Sequence, residues 1–431
     1  MMKLKEELEK RGFLYQFSNE EAFEAYGKGG ESFYCGFDPT ADSLHLGNFI
    51  GFMMGVHLMK RNNKYFALIG WATGMIWDPG GKDAERNFLS EEKLRSNQHA
   101  IESQIKWILG NLEDFTGEKF DFETVNNYDF YQGMNYLDFL REVGKFMTVN
   151  TMMRKDTVKK RIEDPDKSIS YTEFSYMLLQ GYDFYKLYAE DNVKLQIGGQ
   201  DQWGNLMTGV ELIRKKTEKG EWYAITFPLI VDATGRKFGK SEGNALFLDK
   251  KKTTPYTIYQ YFMNINDDDV ERYLKILTLM DLDEIDELVK KHMETPEARL
   301  GQSTLAEKVV EIIHGKKDTE TVKKISKIMF TNNKEEKLQL LSELKAEEIN
   351  DLWEEIGFLD IKWWESILDI LVNSELTASR WEAKKLLKQW GVSLNEKIVT
   401  DLWLELDKSN LLENGIGFLR KGKKSYRLIK M

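Results

Sequence analysis

The first half of the chain alternates short apolar runs with longer stretches whose apolar residues recur at helical spacing. Ser32–Phe37, Lys64–Gly70, Asp121–Asn127, Val193–Gly199 and Thr226–Val231 read as strands, each bounded by polar or Gly/Pro-containing segments. Between them, His45–Arg61 is apolar nearly all round, the pattern of a central helix. Charged helical stretches cover about Glu91 to Leu109 and Tyr136 to Ile162. This rhythm predicts a Rossmann-like α/β fold, a doubly wound parallel sheet with helices on both faces. Beyond about Lys250 the strand signals fade, and Tyr256–His314 reads as several helices with acidic faces. From about Glu365 the pattern changes again, to a small α+β segment. The expected organisation is therefore an α/β domain over 1–245 with a helical insertion at about 126–162, an α-helical domain over 246–320, a linker or helical connection over 321–364, and a small α+β domain over 365–431.

Composition narrows the setting. Of 431 residues, 42% are hydrophobic and 31% charged, and no apolar run approaches the roughly 18 residues that would cross a bilayer. The only cysteine, Cys35, excludes an internal disulfide and a cysteine-based zinc site, which fits a reducing cytoplasm. The amphipathic start, MMKLKEELEKRGFLYQF, lacks the apolar core of a signal peptide. A net charge of −10 argues against a polyanionic partner until it is mapped. Ser374–Met431 holds twelve Lys or Arg against seven Asp or Glu, so this tail carries +5 and the remainder −15.

Two segments carry candidate chemistry. Gly36-Phe37-Asp38-Pro39-Thr40-Ala41-Asp42-Ser43-Leu44-His45-Leu46-Gly47-Asn48 joins the first strand to the buried helix. A strand end followed by a helix N-terminus attracts phosphate through unpaired backbone N–H groups and the helix dipole. Gly47 permits close approach, and Thr40 and His45 can donate to phosphate oxygens. The second segment, Lys237-Phe238-Gly239-Lys240-Ser241, lies about 190 residues downstream in a glycine-punctuated loop. Its lysines can neutralise charge that develops on a triphosphate.

Together these strings resemble the two signatures of class I aminoacyl-tRNA synthetases, and YCGFDPTADSLHLGN looks like the bacterial tyrosyl version of the first. The resemblance covers nearly the whole length and implies residue roles. Tyr34 and Asp183 match the pair that binds the phenolic hydroxyl of tyrosine. Tyr176, Gln180 and Asp78 match residues that hold the substrate ammonium, with Gln202 beside them. Spacings of 4 and 7 from Tyr176 place Gln180 and Asp183 on the same helix face. Asp38, Gly47, Asn48, Gly199, Asp201 and Lys240 match positions that grip ATP. Lys82 and Arg86 match a basic pair that meets pyrophosphate together with Lys237, Lys240 and Ser241. Thr40, His45, Lys82, Arg86, Lys237, Lys240 and Ser241 would then be the catalytic set. The implied substrates are L-tyrosine, ATP and tRNA(Tyr), with Mg²⁺ accompanying ATP, no tightly bound cofactor and no protein-held metal. The implied assembly is a homodimer through the 126–162 insertion, and 246–320 would be an anticodon-binding domain.

The tail LTASRWEAKKLLKQWGVSLNEK…GFLRKGKKSYRLIK resembles the S4-like RNA-binding domain of the same family. Arg380, Lys384 and Lys388 fall four residues apart on a helix, and Arg420, Lys421, Lys423 and Lys424 extend the cationic stripe. The alternatives are a tryptophanyl-tRNA synthetase, which does not call for the Tyr34–Asp183 pair, and a silent RNA-binding relative, for which crowding by Trp71 and Trp77 is the support. Asn48 replaces a second histidine common in the family and keeps an amide donor. Trp71, Trp77 and Trp390 stand where the family usually has glycine, and indoles there would crowd the backbone. Three replacements by one residue suggest one cause, UGA codons that the source genome reads as glycine; genuine divergence at these positions is the alternative.

Overall fold

The computed structural model describes residues 2–76, 89–164, 168–217, 220–231, 240–241, 244–422 and 425–431. The chain divides into two compact units, Met1–Lys316 and Lys317–Met431.

In the first unit, helices α1 (Leu4–Arg11) and α2 (Glu21–Lys28) flank the short edge strand β1 (Gln16–Phe17). The strands β2 (Ser32–Phe37), β3 (Lys64–Ile69), β4 (Phe122–Asn126), β5 (Val193–Gly199) and β6 (Tyr223–Phe227) follow. They form one sheet in the order β1-β6-β5-β2-β3-β4. All pairings are parallel except that of β1 with β6. The chain runs β2 to β3 to β4 on one side and returns to β5 and β6 on the other. The strand order therefore reverses between β2 and β5, and open α/β sheets bind ligands at the carboxyl ends of such a switch point.

Helix α3 (Leu46–Met59) is buried over nearly its whole surface, as its apolar sequence requires. Helix α4 (Trp71–Ile76) follows β3 directly, and α5 (Glu91–Thr116) buries one face through Leu94, Ile101, Ile105, Ile108 and Leu112. α5 runs past the expected end at Leu109 to Gly117, whose φ of +71° closes it. The expected strand over Thr226–Val231 lies earlier, at β6, because Pro228 has no N–H to give a ladder. The single helical stretch expected over Tyr136–Ile162 is three short helices: α6 (Tyr136–Glu142), α7 (Val149–Met153) and α8 (Asp156–Ile162). Asn135 and Thr148 accept backbone N–H bonds as N-caps and restart the chain twice. Helices α9 (Tyr171–Asp191) and α10 (Trp203–Thr217) pack against β5 and β6. The two-residue strands β7 (Lys240–Ser241) and β8 (Asn244–Ala245) pair, and α11 (Pro255–Met263), α12 (Asp267–Leu277), α13 (Leu282–Glu294) and α14 (Leu300–His314) complete the unit.

The second unit opens with α15 (Lys316–Phe330), α16 (Lys334–Ser342) and α17 (Ala346–Ile356), so most of the stretch between Lys317 and Ile361 is helix. A five-stranded sheet follows, made of β9 (Phe358–Asp360), β11 (Val392–Leu394), β12 (Lys397–Ile398), β14 (Ile416–Lys421) and β15 (Ser425–Lys430) in the order β12-β11-β14-β15-β9. The small pair β10 (Glu365–Ser366) and β13 (Glu405–Leu406) and helices α18 (Ile367–Asn373) and α19 (Arg380–Lys388) complete it. Its core joins Ile367, Ile370, Leu371, Ala383, Leu387, Val392, Leu419 and Ile429. Among the described residues no helix is long and apolar enough to cross a membrane.

Candidate active site

A cavity of about 730 Å³ opens at the switch point. Eleven residues singled out from the sequence line it: Tyr34, Asp38, His45, Gly47, Asn48, Tyr176, Gln180, Asp183, Gly199, Asp201 and Gln202. Thr40 stands outside the lining, exposed in the turn after β2 with its N–H on the Asp38 carbonyl oxygen. Asp78, Lys82, Arg86 and Lys237 lie outside the described residues, as does Trp77, and Lys240 and Ser241 are described only as backbone.

Burial and unmet polarity mark the inner end. Asp183, on α9, is 1% exposed. Its carboxylate accepts from Asn127 Nδ2 at 2.9 Å and from the Tyr131 hydroxyl at 2.8 Å. Burial pushes this carboxyl up to about 7 against those two hydrogen bonds, and the nearby charge of Asp38 adds to the rise. Tyr34, on β2, is equally buried, and its hydroxyl has no hydrogen-bond partner among the described residues. Burial and the Asp183 charge hold that phenol far above its ordinary range. An unpaired hydroxyl in such a place costs stability unless something arrives to meet it. Gln196, beside Tyr34 in the parallel ladder, also buries an unpartnered Oε1 in the same lining.

Asp38 is fixed from two sides. Thr73 Oγ1 donates to one carboxylate oxygen and the Tyr176 hydroxyl to the other, each at 2.7 Å. Gly70 is obligatory here, because a Cβ would stand 2.1 Å from Asp38 Oδ1 and 2.4 Å from Thr73 Oγ1. Asp38 and Tyr176, expected at ATP and at the ammonium respectively, thus form one hydrogen-bonded pair between those ends.

The outer end is the start of α3. His45 is its N-cap; Nδ1 accepts from the Asn48 N–H at 3.3 Å, while Asn48 Oδ1 accepts from the His45 N–H at 3.1 Å. With Nδ1 accepting in this reciprocal box, the ring nitrogen that carries a proton is Nε2. Gly47 sits so close that a Cβ would meet the His45 ring at 2.9 Å. On the opposite wall a Cβ at Gly199 would come within 2.7 Å of Asp201 Oδ1. The chain that follows the second signature is anchored alongside the first: Leu46 N–H bonds to the Leu246 carbonyl at 3.0 Å and Leu248 N–H to that of Leu44 at 2.8 Å. The hairpin of Lys240–Ser241 with Asn244–Ala245 leads directly into that pairing.

Five contributors escaped sequence reading: Asn127, Tyr131, Thr73, Gln196 and Cys35. Asn127 joins three elements, accepting from the Ala72 N–H and donating to Thr73 Oγ1 and Asp183. Its signal was a pair of asparagines at the end of β4, where open sheets place ligand-facing groups. Gln196 could have been found as a polar residue inside the apolar run VKLQIGG. Cys35 lines the cavity with its thiol pushed by burial up to about 12, so it is a packed thiol and no nucleophile.

The cations of the second unit are unevenly committed. Arg380 forms a two-pronged pair with Asp369, Lys421 reaches Glu382 at 2.9 Å, and Arg420 meets Glu396 at 3.3 Å. Lys384 and Lys388 are exposed on α19, with no acidic partner among the described residues. Lys423 and Lys424 lie outside the described residues.

Comparison with known proteins agrees with this geometry. Residues 29–354 match the family described as tRNA synthetases class I (W and Y), and residues 348–429 match the tyrosine–tRNA ligase SYY-like C-terminal domain. The chain is 42% identical to tyrosine–tRNA ligase 1 of Streptococcus thermophilus (strain CNRZ 1066) over 426 residues, 98% of each chain. It is also 42% identical to the tyrosine–tRNA ligase of Streptococcus equi subsp. zooepidemicus (strain MGCS10565), over 99% of this chain and 100% of that one. A C-terminally truncated mitochondrial tyrosyl-tRNA synthetase of Aspergillus nidulans superposes with a TM-score of 0.70 at 28% identity, covering 77% of this chain and 95% of that one. With a switch-point cavity lined by the first signature and a family match over most of its length, the chain belongs to the class I aminoacyl-tRNA synthetases, in the family of the tyrosyl and tryptophanyl enzymes.

Proposed function

We propose that this protein is an ATP-dependent tyrosine–tRNA ligase, and the observation that carries the reading is the buried Tyr34 hydroxyl facing the same cavity as the Asp183 carboxylate. A tyrosine phenol supplies a further donor for Asp183 and an oxygen for Tyr34; phenylalanine leaves the buried Tyr34 hydroxyl unmet and gives the Asp183 carboxylate no donor beyond Asn127 and Tyr131. Tyr176, Gln180, Gln202 and Asp78 hold the ammonium end. ATP lies toward the start of α3, over Gly47, Asn48, Gly199 and Asp201.

In the first step a tyrosine carboxylate oxygen attacks the α-phosphorus of ATP, and the bond to the bridging oxygen of pyrophosphate breaks, giving tyrosyl-adenylate. No enzyme nucleophile is required. The chain contributes alignment and charge stabilisation: the His45 ring, Thr40, Lys82, Arg86, Lys237, Lys240 and Ser241 meet the phosphates. In the second step a terminal ribose hydroxyl of tRNA takes the tyrosyl group and AMP leaves. Mg²⁺ accompanying the triphosphate would offset phosphate charge. Among the described residues no cluster of three His, Cys, Asp or Glu side chains gathers to hold a metal.

The helical segment at 246–320 serves the anticodon side and the 365–431 segment is an S4-like RNA-binding domain, with the free Lys384 and Lys388 on its cationic face. A homodimer formed through the insertion accords with the exposure of Tyr136, Leu137, Val149 and Met153 there and of Tyr171 just beyond it, and the expected setting is the cytoplasm. Apolar side chains concentrated in this way mark a surface that a second copy covers.

ATP–pyrophosphate exchange with tyrosine, tryptophan and phenylalanine tests the reading. Exchange with tyrosine alone is expected. Exchange with tryptophan alone identifies the sister enzyme, and none with any amino acid identifies a silent RNA-binding relative; either result refutes the proposal.

A further inference from the structure

The chain has eleven tryptophans; those among the described residues fall into different structural situations, and two of them adopt a backbone conformation that bulky side chains resist. Trp390 follows α19 with φ +61°. Its N–H bonds to the Leu387 carbonyl at 3.1 Å and the next N–H, of Gly391, reaches back to Leu386 at 2.9 Å. That is how a helix closes through one left-handed residue, a place glycine takes at no steric cost. The indole recovers little in exchange, being 69% exposed. Trp364 repeats the situation in the turn before β10: φ is +62°, its N–H is bonded to the Leu406 carbonyl at 2.9 Å, and the ring is 61% exposed.

Trp71 is crowded instead. It is 2% exposed, its indole N–H has no partner among the described residues, and its ring centroid lies 4.0 Å from that of Tyr128. Buried indoles ordinarily place that N–H on an acceptor. The position also opens α4, whose next N–H, of Ala72, holds Asn127 for Asp183. Trp203 shows the contrast: its φ of −49° and ψ of −45° are helical, and its ring packs against the core beneath β5 and β6.

We propose that the protein made in its own cell carries glycine at positions 71, 364 and 390, inserted at UGA codons that its genome decodes as glycine, and genuine tryptophan at 203. UGA is one base from the tryptophan codon UGG and one base from the glycine codon GGA. A single decoding assignment therefore accounts for the same residue standing at two left-handed positions and one position too tight for it. With glycine at 390 and 364 both turns lose their steric conflict, and with glycine at 71 the helix that positions Asn127 begins without an indole wedged against Tyr128.

Tandem mass spectrometry of the protein purified from its own source, read beside the gene, tests this. Glycine at 71, 364 and 390 with UGA at each codon, and tryptophan with UGG at 203, are expected. Tryptophan or UGG at any of the three overturns the proposal. A recombinant pair gives an independent reading: in the double variant Trp364→Gly and Trp390→Gly, the melting temperature of the second unit's transition rises by about 4 °C. An unchanged or lower value overturns the claim that these two backbones are built for glycine.

Discussion

Replacing Asp183 by asparagine should stabilise the empty enzyme and abolish its purpose. The native carboxyl is raised to about 7 from its ordinary value of 3.8. Over that interval the folded protein keeps a proton that the unfolded chain releases, so stability falls as pH rises from about 4 to 7 and then levels off. The gap corresponds to about 4 kcal/mol at 1.36 kcal/mol per tenfold change. Because Asp183 is 1% exposed, little solvent screening reduces it. An amide has nearly the shape of the protonated acid: its oxygen can still accept from Asn127, and its NH₂ can donate to the Tyr131 hydroxyl, which is free to rotate. Asp183→Asn is therefore expected to raise the unfolding free energy of the unit Met1–Lys316 by about 2 to 4 kcal/mol at pH 8. The gain should shrink by more than half at pH 5, where the wild-type carboxyl is already protonated. Denaturant titrations of both proteins at the two pH values measure this, with tyrosine-dependent exchange assayed in parallel. A variant no more stable than wild type at pH 8, or a gain of equal size at both pH values, refutes the argument that this carboxylate is held ionised against its surroundings.

Tyr34→Phe removes a hydroxyl with no partner among the described residues, so stability should hold or rise slightly while kcat/KM for tyrosine falls about tenfold, the worth of one hydrogen bond of about 1.4 kcal/mol; loss of stability without loss of exchange sinks the assignment. Asn127→Ala breaks bonds to Ala72, Thr73 and Asp183 at once and should cost about 2 to 3 kcal/mol, with a higher KM for tyrosine, read by thermal unfolding and exchange. Leu137→Asp puts a charge on an apolar side chain that is 69% exposed and should shift sedimentation from dimer to monomer; an unmoved profile places the interface elsewhere. Replacing Lys384 and Lys388 together by alanine should weaken tRNA binding and lower its salt slope by about two, with ATP–pyrophosphate exchange unchanged.

Much of the fold was legible because its strands are buried on both faces. Ser32–Phe37, Lys64–Ile69 and Val193–Gly199 read as apolar runs for the reason that parallel sheets are covered by helices on each side. The misplaced strand at Thr226–Val231 failed on composition: an apolar run continues through Pro228, but hydrogen bonding cannot. The insertion was misread as one helix because its helical propensity is continuous, while its interruptions depend on single capping side chains, Asn135 and Thr148. At the site, glycines and signature residues stood out because close approach restricts residue type. Asn127 and Tyr131 did not, since what makes them functional is a partner 56 or 52 residues away, a relation no local pattern records.

The charge of the tail shows the same limit in a form that changes the functional expectation. As a count, Ser374–Met431 is +5, and the Arg380, Lys384, Lys388 series reads as a uniform cationic stripe. Folding divides that stripe, because Arg380, Arg420 and Lys421 each meet a carboxylate of the same unit. A cation already paired releases fewer counterions on meeting phosphate than one held in water, because its own carboxylate must be displaced or must share it. The salt dependence of RNA binding should then be carried by Lys384 and Lys388, and hardly by Arg380. Arg380→Ala is expected to leave the slope within about half of one ion of wild type, where the double lysine replacement removes about two. Equal losses from both would mean that the Asp369 pair opens on RNA binding and that Arg380 belongs with the free lysines.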